Sequence, residues 1–231
     1  MDAVSAKLAP RAKTATCYVI LTGNPNSGKT TLFNALTGLR AKVGNYAGVT
    51  VERKEGRLLG TSKTEPIIVL DLPGTYGLSP RSLDEQIARD ILFHRLPEVP
   101  PPDLIVVVVD ASNLQRNLYF ATQVIELGYP TVIALNMIDV AEQNGHHIDA
   151  QKLSRELGVP VYPIVASSGR WVDKLREAIA SQVQDSRFKV QGLPERPELF
   201  CKLPPQFEQE VEALADLLEE CFPESHFEAV A

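Results

Sequence analysis

The chain has few cysteines, no long apolar run and no concentration of basic residues, and each absence narrows its function. Its three cysteines, Cys17, Cys201 and Cys221, show neither paired nor metal-type spacing, so we expect a reduced, cytosolic chain. The longest apolar strand run, 104–109, stops at Asp110, well short of the about 18–20 residues that cross a bilayer. The net charge of −6 and the lack of a basic stripe argue against nucleic acid as a partner.

The N-terminal segment 1–16 contains Lys7, Arg11 and Lys13 but lacks the apolar centre of a signal peptide. We therefore expect it to be a flexible tail. The whole chain has 231 residues, of which 44% are hydrophobic, enough to bury one α/β core and leave a small appendage.

A phosphate loop is the strongest motif in the sequence. Residues 23–30 match the pattern G-x-x-x-x-G-K-[ST], and they lie between a strand-like run at 17–21 and apolar residues at helical spacing that Gly38 closes. The main-chain N–H groups of such a loop, with the N-terminus of the next helix, cradle phosphates. We predict that Lys29 reaches the β- and γ-phosphates and that Thr30 binds Mg²⁺. The predicted phosphate-binding residues are Gly23, Asn24, Pro25, Asn26, Ser27, Gly28, Lys29, Thr30, Thr31 and Gly74.

A second strand-like run, at 66–70, ends in a carboxylate. Asp71 is followed by Leu-Pro-Gly, and a carboxylate in this place beside a phosphate loop is suited to hold Mg²⁺ through a bound water. The N–H of Gly74 can then contact a γ-phosphate. We predict that this segment is a switch, consisting of Asp71, Leu72, Pro73, Gly74 and Thr75.

A third strand-like run, at 131–135, ends in Asn136-Met137-Ile138-Asp139, the Asn-Lys-x-Asp form of guanine-binding loops with methionine in the lysine position. Asp139 can accept hydrogen bonds from the guanine N1–H and exocyclic amine, a pair of donors that adenine lacks. The pattern therefore predicts GTP. A loop after the strand-like run 161–165 is expected to contact the guanine O6. The predicted guanine-binding residues are Asn136, Met137, Asp139, Ala166, Ser167 and Ser168.

The glycine-containing segment 43–52, between the first helix and the next strand, is predicted to be a mobile first switch. Thr50 in this segment can complete the Mg²⁺ shell when the γ-phosphate is present. The predicted residues of this switch are Gly44, Asn45, Tyr46, Ala47, Gly48, Val49 and Thr50.

Strands alternate with helical stretches along the chain, which predicts an α/β, three-layer P-loop GTPase sandwich. We expect a mostly parallel six-stranded sheet with one antiparallel edge strand, and the ligand at the carboxyl ends of the strands. Residues 17–185 form the predicted G-domain. Residues 186–231 are predicted to be a linker and the start of a helical domain, with an amphipathic helix at 205–221. The expected helices of the G-domain follow the phosphate loop and span 82–93, 113–127, 150–157 and 171–183.

From Cys17 to about Asp185 the sequence resembles the cytosolic G-domain of the ferrous iron transport protein B (FeoB) family. The strings Asn-Tyr-x-Gly-Val-Thr-Val-Glu at 45–52 and Asn-Leu-x-Arg-Asn-Leu at 113–118 are much more specific to that family than the phosphate loop. Ala47 stands where the family often has proline. Further similar strings are 23–38, 71–76 and 134–139.

The resemblance implies a slow GTPase of a prokaryotic ferrous iron transporter, whose GTP-dependent switch motions regulate or drive Fe(II) uptake. It implies a helical domain at 186–231, truncated before a membrane domain of the same polypeptide, on the cytoplasmic side of the bacterial inner membrane. Small cytosolic accessory proteins of the iron-uptake system and a homo-oligomer are further candidate partners.

The sequence also indicates how hydrolysis is limited. Thr75 stands where Ras-like enzymes have the glutamine that orients the attacking water, so intrinsic hydrolysis should be slow. No arginine is evident as a finger within the chain. The resemblance implies that K⁺, bound by Asn26 and switch carbonyls beside the phosphates, offsets the developing charge instead. The alternative is that Asn26 only shapes the loop.

A soluble GTPase associated with ribosomes or tRNA is the alternative function. Such proteins share the phosphate loop and can lack the same glutamine. They usually carry a basic appendage for nucleic acid, and the acidic C-terminal helix argues against one.

Overall fold

The computed structural model describes residues 16–46, 49–62 and 64–189, with side chains through 184, and single positions from residue 200 onward. The chain divides into two compact units, Met1–Pro197 and Glu198–Ala231. The predicted tail lies outside the described residues except for Thr16, as does most of the predicted C-terminal helix. Within the predicted C-terminal helix, the positions that the structure describes as helical are Gln206, Gln209, Glu210, Ala213, Leu214 and Leu217.

A mixed sheet of seven strands forms the centre of the first unit. The strands are β1 Cys17–Gly23, β2 Ala41–Asn45, β3 Glu52–Arg57, β4 Ile67–Asp71, β5 Leu104–Asp110, β6 Thr131–Asn136 and β7 Val161–Pro163. Their spatial order is β2-β3-β4-β1-β5-β6-β7. The pairs from β4 to β7 are parallel, whereas β3 is antiparallel to both of its neighbours. The predicted α/β fold with a mostly parallel sheet is confirmed.

The sheet has one strand more than the predicted six. The additional strand, β2, overlaps the beginning of the predicted first switch and pairs with β3 in the register Val43 to Lys54 and Asn45 to Glu52. It forms the edge, so the antiparallel β3 is internal. Every residue of β2 is exposed. An edge strand without a buried face shows no hydrophobic alternation, and the sequence pattern therefore gave no sign of it.

Helices cover both faces of the sheet and give the predicted three layers. They are α1 Lys29–Thr37, α2 Leu83–Leu92, α3 Leu114–Ile125, α4 Ile138–Gln143, α5 Ala150–Leu157 and α6 Val172–Lys189, with a short 3-10 helix at Ala111–Asn113. One hydrophobic core contains residues of α1 and α6, and the other contains residues of α2 to α5. The side chain of Asp149 accepts from the N–H groups of Gln151 and Lys152 and thereby caps α5 at its N-terminus.

The buried strand β5 explains why periodicity located the central sheet well. All residues of β5 are buried, and its valines alternate between the two cores: Val106 and Val108 face α1 and α6, whereas Val107 and Val109 face the other layer. A strand covered on both faces is continuously apolar. The polar side chains that follow such strands lie at their carboxyl ends, where ligands bind in this class of fold.

Candidate nucleotide-binding site

The phosphate loop lies at the carboxyl end of β1, between β4 and β5, and two of its glycines are required by close contacts. Gly23 has φ 149°, and a Cβ there would lie 2.3 Å from the carbonyl oxygen of Val108. Gly28 has φ 89°, and a Cβ there would lie 2.3 Å from Nδ2 of Asn136. Any larger residue would therefore displace the loop from β5 or from the end of β6.

The N-terminus of α1 is open to an anion. Gly28 is its N-cap, no side chain caps it, and no acidic residue lies in its first turn. The first N–H groups of a helix have no partner within the helix, and together they carry a partial positive charge. A phosphate group bound here would satisfy them. The hydroxyl-bearing residues Thr30 and Thr31 are exposed at this end.

Lys29 is almost completely buried, with 8% of its surface exposed, and its Nζ donates to the carbonyl oxygen of Asn24 at 2.8 Å. Burial lowers the pKa of Lys29 to about 8, and the nearby charge of Asp71 acts in the opposite direction. The hydrogen-bond partner described for this buried ammonium group is a neutral carbonyl oxygen, so phosphate oxygens would stabilise its charge.

Asp71, at the end of β4, is also buried and has a carboxylate oxygen without a partner. Burial raises the pKa of Asp71 to about 6, against the opposing effects of Lys29 and Lys54. Five buried side-chain atoms of the described residues lack a hydrogen-bond partner, and four lie in or beside the phosphate loop: Thr22 Oγ1, Asn24 Oδ1, Ser27 Oγ and Asp71 Oδ1. Such a concentration of unsatisfied oxygens fits a site for a cation and its water ligands.

Asn136 joins the phosphate loop to the two other predicted nucleotide-binding loops. Its Nδ2 donates to the carbonyl oxygen of Ser27 at 2.9 Å, and its Oδ1 accepts from the N–H of Ala166 at 2.9 Å. The side chain is buried, with 3% exposed. The structure thus brings the predicted phosphate and guanine loops together, and the side chain of Asn136 holds them in register.

The other predicted guanine residues surround this bridge. Met137 is the N-cap of α4, has φ 62°, and its Cε lies 3.7 Å from a Cβ placed on Gly28. Asp139 lies in the first turn of α4 and is half-buried. In the loop after β7, Ser167 is exposed and the hydroxyl of Ser168 donates to the carbonyl oxygen of Val165. The side chains that would contact a base are therefore accessible beside the phosphate loop.

The first switch is not assembled around the site. Thr50, the predicted Mg²⁺ ligand, is exposed, and no hydrogen bond described for it reaches the phosphate loop. Tyr46 is buried, its N–H donates to the carbonyl oxygen of Val51 at 3.1 Å, and its ring packs in the core with Leu72. Ala47 and Gly48 lie outside the described residues.

The second switch lies directly on the phosphate loop. A Cβ on Gly74 would lie 2.9 Å from Cα of Pro25 and 3.0 Å from Nζ of Lys29. Thr75 is buried, with 1% exposed, and its hydroxyl donates to the carbonyl oxygen of Gly77 at 2.8 Å. Its side chain is therefore bonded to the backbone directly after the switch.

Asn26 is exposed and has φ 65°, so its backbone adopts the left-handed conformation in which asparagine is among the most frequent non-glycine residues. Its side chain makes none of the hydrogen bonds described for the phosphate loop. The geometry is consistent with loop shaping by the backbone, and it leaves the side-chain oxygen available for a cation.

The beginning of α3 also borders the site, and sequence reasoning gave it no role. Nδ2 of Asn24 donates to the carbonyl oxygen of Arg116 at 3.4 Å, and the guanidinium carbon of Arg116 lies 4.3 Å from the centre of the Tyr76 ring. The signal in the sequence was the string Asn-Leu-x-Arg-Asn-Leu at 113–118. This string is specific to the family, but nothing in it indicates the contact between Arg116 and Tyr76.

Within the described residues, no group of three or more histidine, cysteine, aspartate or glutamate side chains is arranged to hold a metal ion. No helix in this part of the chain is both long and apolar enough to cross a bilayer.

The sequence model of the family described as "Ferrous iron transport protein B" matches residues 17–179. The Fe(2+) transporter FeoB of Salmonella typhimurium is 53% identical over 163 residues, which are 69% of this chain and 20% of that protein. The chain thus spans about a fifth of the length of such relatives.

Solved structures are similar over a larger part of the chain. The cytosolic domain of L. pneumophila FeoB has a TM-score of 0.73 and 39% identity, and the match covers 89% of this chain and 81% of that one. A GDP-bound mutant of S. thermophilus NFeoB has a TM-score of 0.71 and 40% identity, over 89% of this chain and 72% of that one. The chain belongs to the FeoB family, as a P-loop G-domain of its ferrous iron transport protein B.

Proposed function

We propose that this chain binds GTP and GDP with Mg²⁺, hydrolyses GTP slowly, and regulates or drives Fe(II) uptake by a membrane domain of the same polypeptide. The observation that carries the nucleotide part of this proposal is the site itself. An uncapped helix N-terminus and a buried lysine belong to one loop that Asn136 ties to the guanine-binding segments, and beside this loop, at the end of β4, lies a buried carboxylate with one unpartnered oxygen. The GDP-bound relative has the same fold.

In the proposed complex the phosphates lie on the N–H groups of residues 23–30, and the Lys29 ammonium contacts the β- and γ-phosphates. Thr30 and Asp71 would hold Mg²⁺, and Thr50 would join them when the γ-phosphate is present. Bound Mg²⁺ would supply positive charge that offsets the charge developing on the phosphate oxygens. Its charge also favours the ionised form of the Asp71 carboxylate, whose pKa burial raises to about 6.

Guanine specificity comes from Asp139, whose carboxylate accepts from the N1–H and the exocyclic amine. Met137 lies close to Gly28 and covers one side of the base site. The N–H of Ser167 is the proposed donor to the guanine O6. ATP would leave the carboxylate of Asp139 without donors, which costs about 1–3 kcal/mol or more for a charged group.

Hydrolysis is slow in this proposal because no side chain of the second switch orients the water. K⁺ held beside the phosphates by Asn26 and by switch carbonyls would stabilise the charge that develops on the γ-phosphate. The exposed Asn26 side chain, with no other hydrogen bond described for it, supports this assignment.

Iron uptake by the whole protein is proposed from the family alone, because this chain spans about a fifth of its curated relatives. The remainder of the protein would supply the membrane domain, with this domain on the cytoplasmic side of the bacterial inner membrane. Small cytosolic accessory proteins and a second copy of the chain are proposed as further partners. The segment 186–231 would connect this domain to the membrane domain.

The test is a titration of the purified chain with fluorescent GTP, GDP and ATP analogues, together with phosphate release from GTP in Mg²⁺ with K⁺ or Na⁺. We expect GTP and GDP to bind at least about ten-fold more tightly than ATP, since one charged hydrogen-bond acceptor distinguishes the bases. Equal affinity for ATP and GTP, or no release of phosphate from GTP in either salt, would contradict the proposed function.

A further inference from the structure

We infer that Arg116 is a positioning residue that, with Gln123, anchors the second switch to helix α3 and thereby sets the rate of GTP hydrolysis. This inference rests on the proposed GTPase function. It assigns a role to the family-specific segment 113–118, which neither the phosphate loop nor the guanine loops explain.

Two residues directly after the second switch, Tyr76 and Leu78, are attached to one face of α3 and hold the end of the switch. The guanidinium carbon of Arg116 lies 4.3 Å from the centre of the Tyr76 ring, a cation–π distance. Two helical turns further along α3, Oε1 of Gln123 accepts the N–H of Leu78 at 3.1 Å. Residues 76–78 therefore have both a side-chain and a main-chain attachment to the same helix.

Gly77, between these two points, lies directly against α3. A Cβ on Gly77 would lie 3.2 Å from Oε1 of Gln123 and 3.5 Å from Cε1 of Tyr119. The backbone of the switch is therefore in contact with the helix between the two attachments, so the three contacts act as one anchor.

The helix turn that carries Arg116 is itself fixed to the phosphate loop. Nδ2 of Asn24 donates to the carbonyl oxygen of Arg116 at 3.4 Å. Asn117, which is buried, accepts the N–H of Asp110 at 3.2 Å and donates to the carbonyl oxygen of Asn113 at 3.0 Å. The position of Arg116 relative to the phosphates is thus defined from both sides.

The anchor matters because the switch has no side chain left to orient water. The hydroxyl of Thr75 is bonded to the carbonyl oxygen of Gly77 and the Tyr76 ring lies against Arg116, so we expect the orienting group to belong to the backbone. Gly74 lies against the phosphate loop on one side of this short stretch. On its other side it is attached to α3 through Tyr76 and Leu78, and without these attachments the backbone would occupy productive positions less often.

The anchor can be removed without damage to the core. Tyr76 is 42% exposed, and Arg116 is exposed as well, so their contact lies at the surface. Substitution of either residue is therefore expected to change the rate of hydrolysis and to leave both the fold and the binding of GDP intact.

The experiment measures kcat and KM for GTP hydrolysis in K⁺, together with Kd for GDP, in a double-mutant cycle of Arg116→Ala and Tyr76→Ala. We expect kcat to fall about two- to five-fold in each single variant, in line with an exposed cation–π contact. The double variant should be no slower than Tyr76→Ala alone. Tyr76→Phe, which keeps the ring, should retain the kcat of the unmodified chain, and KM and Kd should stay within about two-fold throughout.

Gln115→Ala is the matched control, because Gln115 is exposed on the same helix turn and is not part of the anchor. An unchanged kcat in Arg116→Ala, additive losses in the double variant, or losses of GDP affinity equal to those of kcat would overturn the inference while the proposed function stands. An unmodified chain that releases no phosphate from GTP would overturn the proposed function, and the inference with it.

Discussion

The phosphate loop and the first switch differ in how they are held, although both are expected to contact the same nucleotide. The phosphate loop is joined by buried side chains to its neighbours, through Asn136 to the loop at Ala166 and through Asn24 to α3. The first switch continues from β2, an edge strand whose residues are all exposed, and no hydrogen bond described for Thr50 reaches the site.

The difference indicates that the two regions have different roles in nucleotide binding. The buried loops have few alternative arrangements, because each alternative would leave buried polar groups without partners. They are therefore suited to bind the parts that GTP and GDP share. Among the described residues of the first switch, Tyr46 is buried and Thr50 is exposed, and the conformation of this segment can depend on whether a γ-phosphate is present.

The largest expected effect comes from removing the side-chain bridge made by Asn136. This bridge joins the buried phosphate and guanine loops, which together form the fixed region of the site. Asn136→Ala leaves the N–H of Ala166 and the carbonyl oxygen of Ser27 without their common partner, so the two loops lose their register. We expect the affinity for GTP and GDP alike to fall about hundred-fold, and the free energy of unfolding to fall by about 1–3 kcal/mol. Isothermal titration and urea unfolding measure the two effects. Asn144→Ala, at the exposed end of α4, is the control.

The second-largest effect is expected from removing the contact between Asp139 and the guanine base, which leaves the bridge of Asn136 intact. Asp139→Ala should lower the affinity for GTP and GDP by roughly ten- to hundred-fold, because the guanine donors lose a charged acceptor. Asp139→Asn is a more specific test of base contact than Asp139→Ala, because its amide can donate to the oxygen that xanthine carries in place of the exocyclic amine. Competition with xanthosine diphosphate should then show a reversed preference. A variant that still prefers GDP would show that Asp139 does not contact the base.

A smaller effect is expected from the first switch, and on one nucleotide state only. Thr50→Ala should reduce kcat for GTP about ten-fold, as expected for the loss of one group of a metal site, because Thr50 binds Mg²⁺ only with the γ-phosphate. GDP affinity should not change. Single-turnover hydrolysis and GDP titration separate the two. Equal losses of kcat and of GDP affinity would place Thr50 in the fixed region and would contradict the distinction between the two regions.

The smallest expected effect is the choice between K⁺ and Na⁺. Hydrolysis should be about three- to ten-fold faster in K⁺, less than the effect of a buried charged donor. Because Asn26 has φ 65°, Asn26→Gly is the suitable variant: glycine accepts this conformation, so only the side chain is lost. It should abolish the preference and keep the basal rate. Persistence of the full preference in Asn26→Gly would leave the residue with a backbone role alone.

The sequence predicted the fixed region better than the switches, for physical reasons. The buried strands β1, β4, β5 and β6 are continuous apolar runs, and the loop between β1 and α1 has a fixed pattern of glycines. Both features are local in the sequence. Asp139 and Ala166 could be assigned to the site because strand ends meet at one edge of a parallel sheet.

The parts that the sequence did not predict depend on contacts between distant residues or lack a periodic pattern. The strand β2 has no buried face. The bridging role of Asn136 needs Ser27, 109 positions away, and the anchor between Arg116 and the second switch needs Tyr76. One sequence contains no signal that pairs such residues.

The central claim is that the phosphate and guanine loops have the same conformation in both nucleotide states, whereas the first switch responds to the γ-phosphate. Hydrogen–deuterium exchange of the chain with GDP, and with a non-hydrolysable GTP analogue, tests it directly. We predict equal protection at residues 23–30 and 136–139 in both states, and greater protection at residues 43–52 with the GTP analogue. Equal protection of residues 43–52 in the two states, or a change confined to the phosphate loop, would contradict the claim.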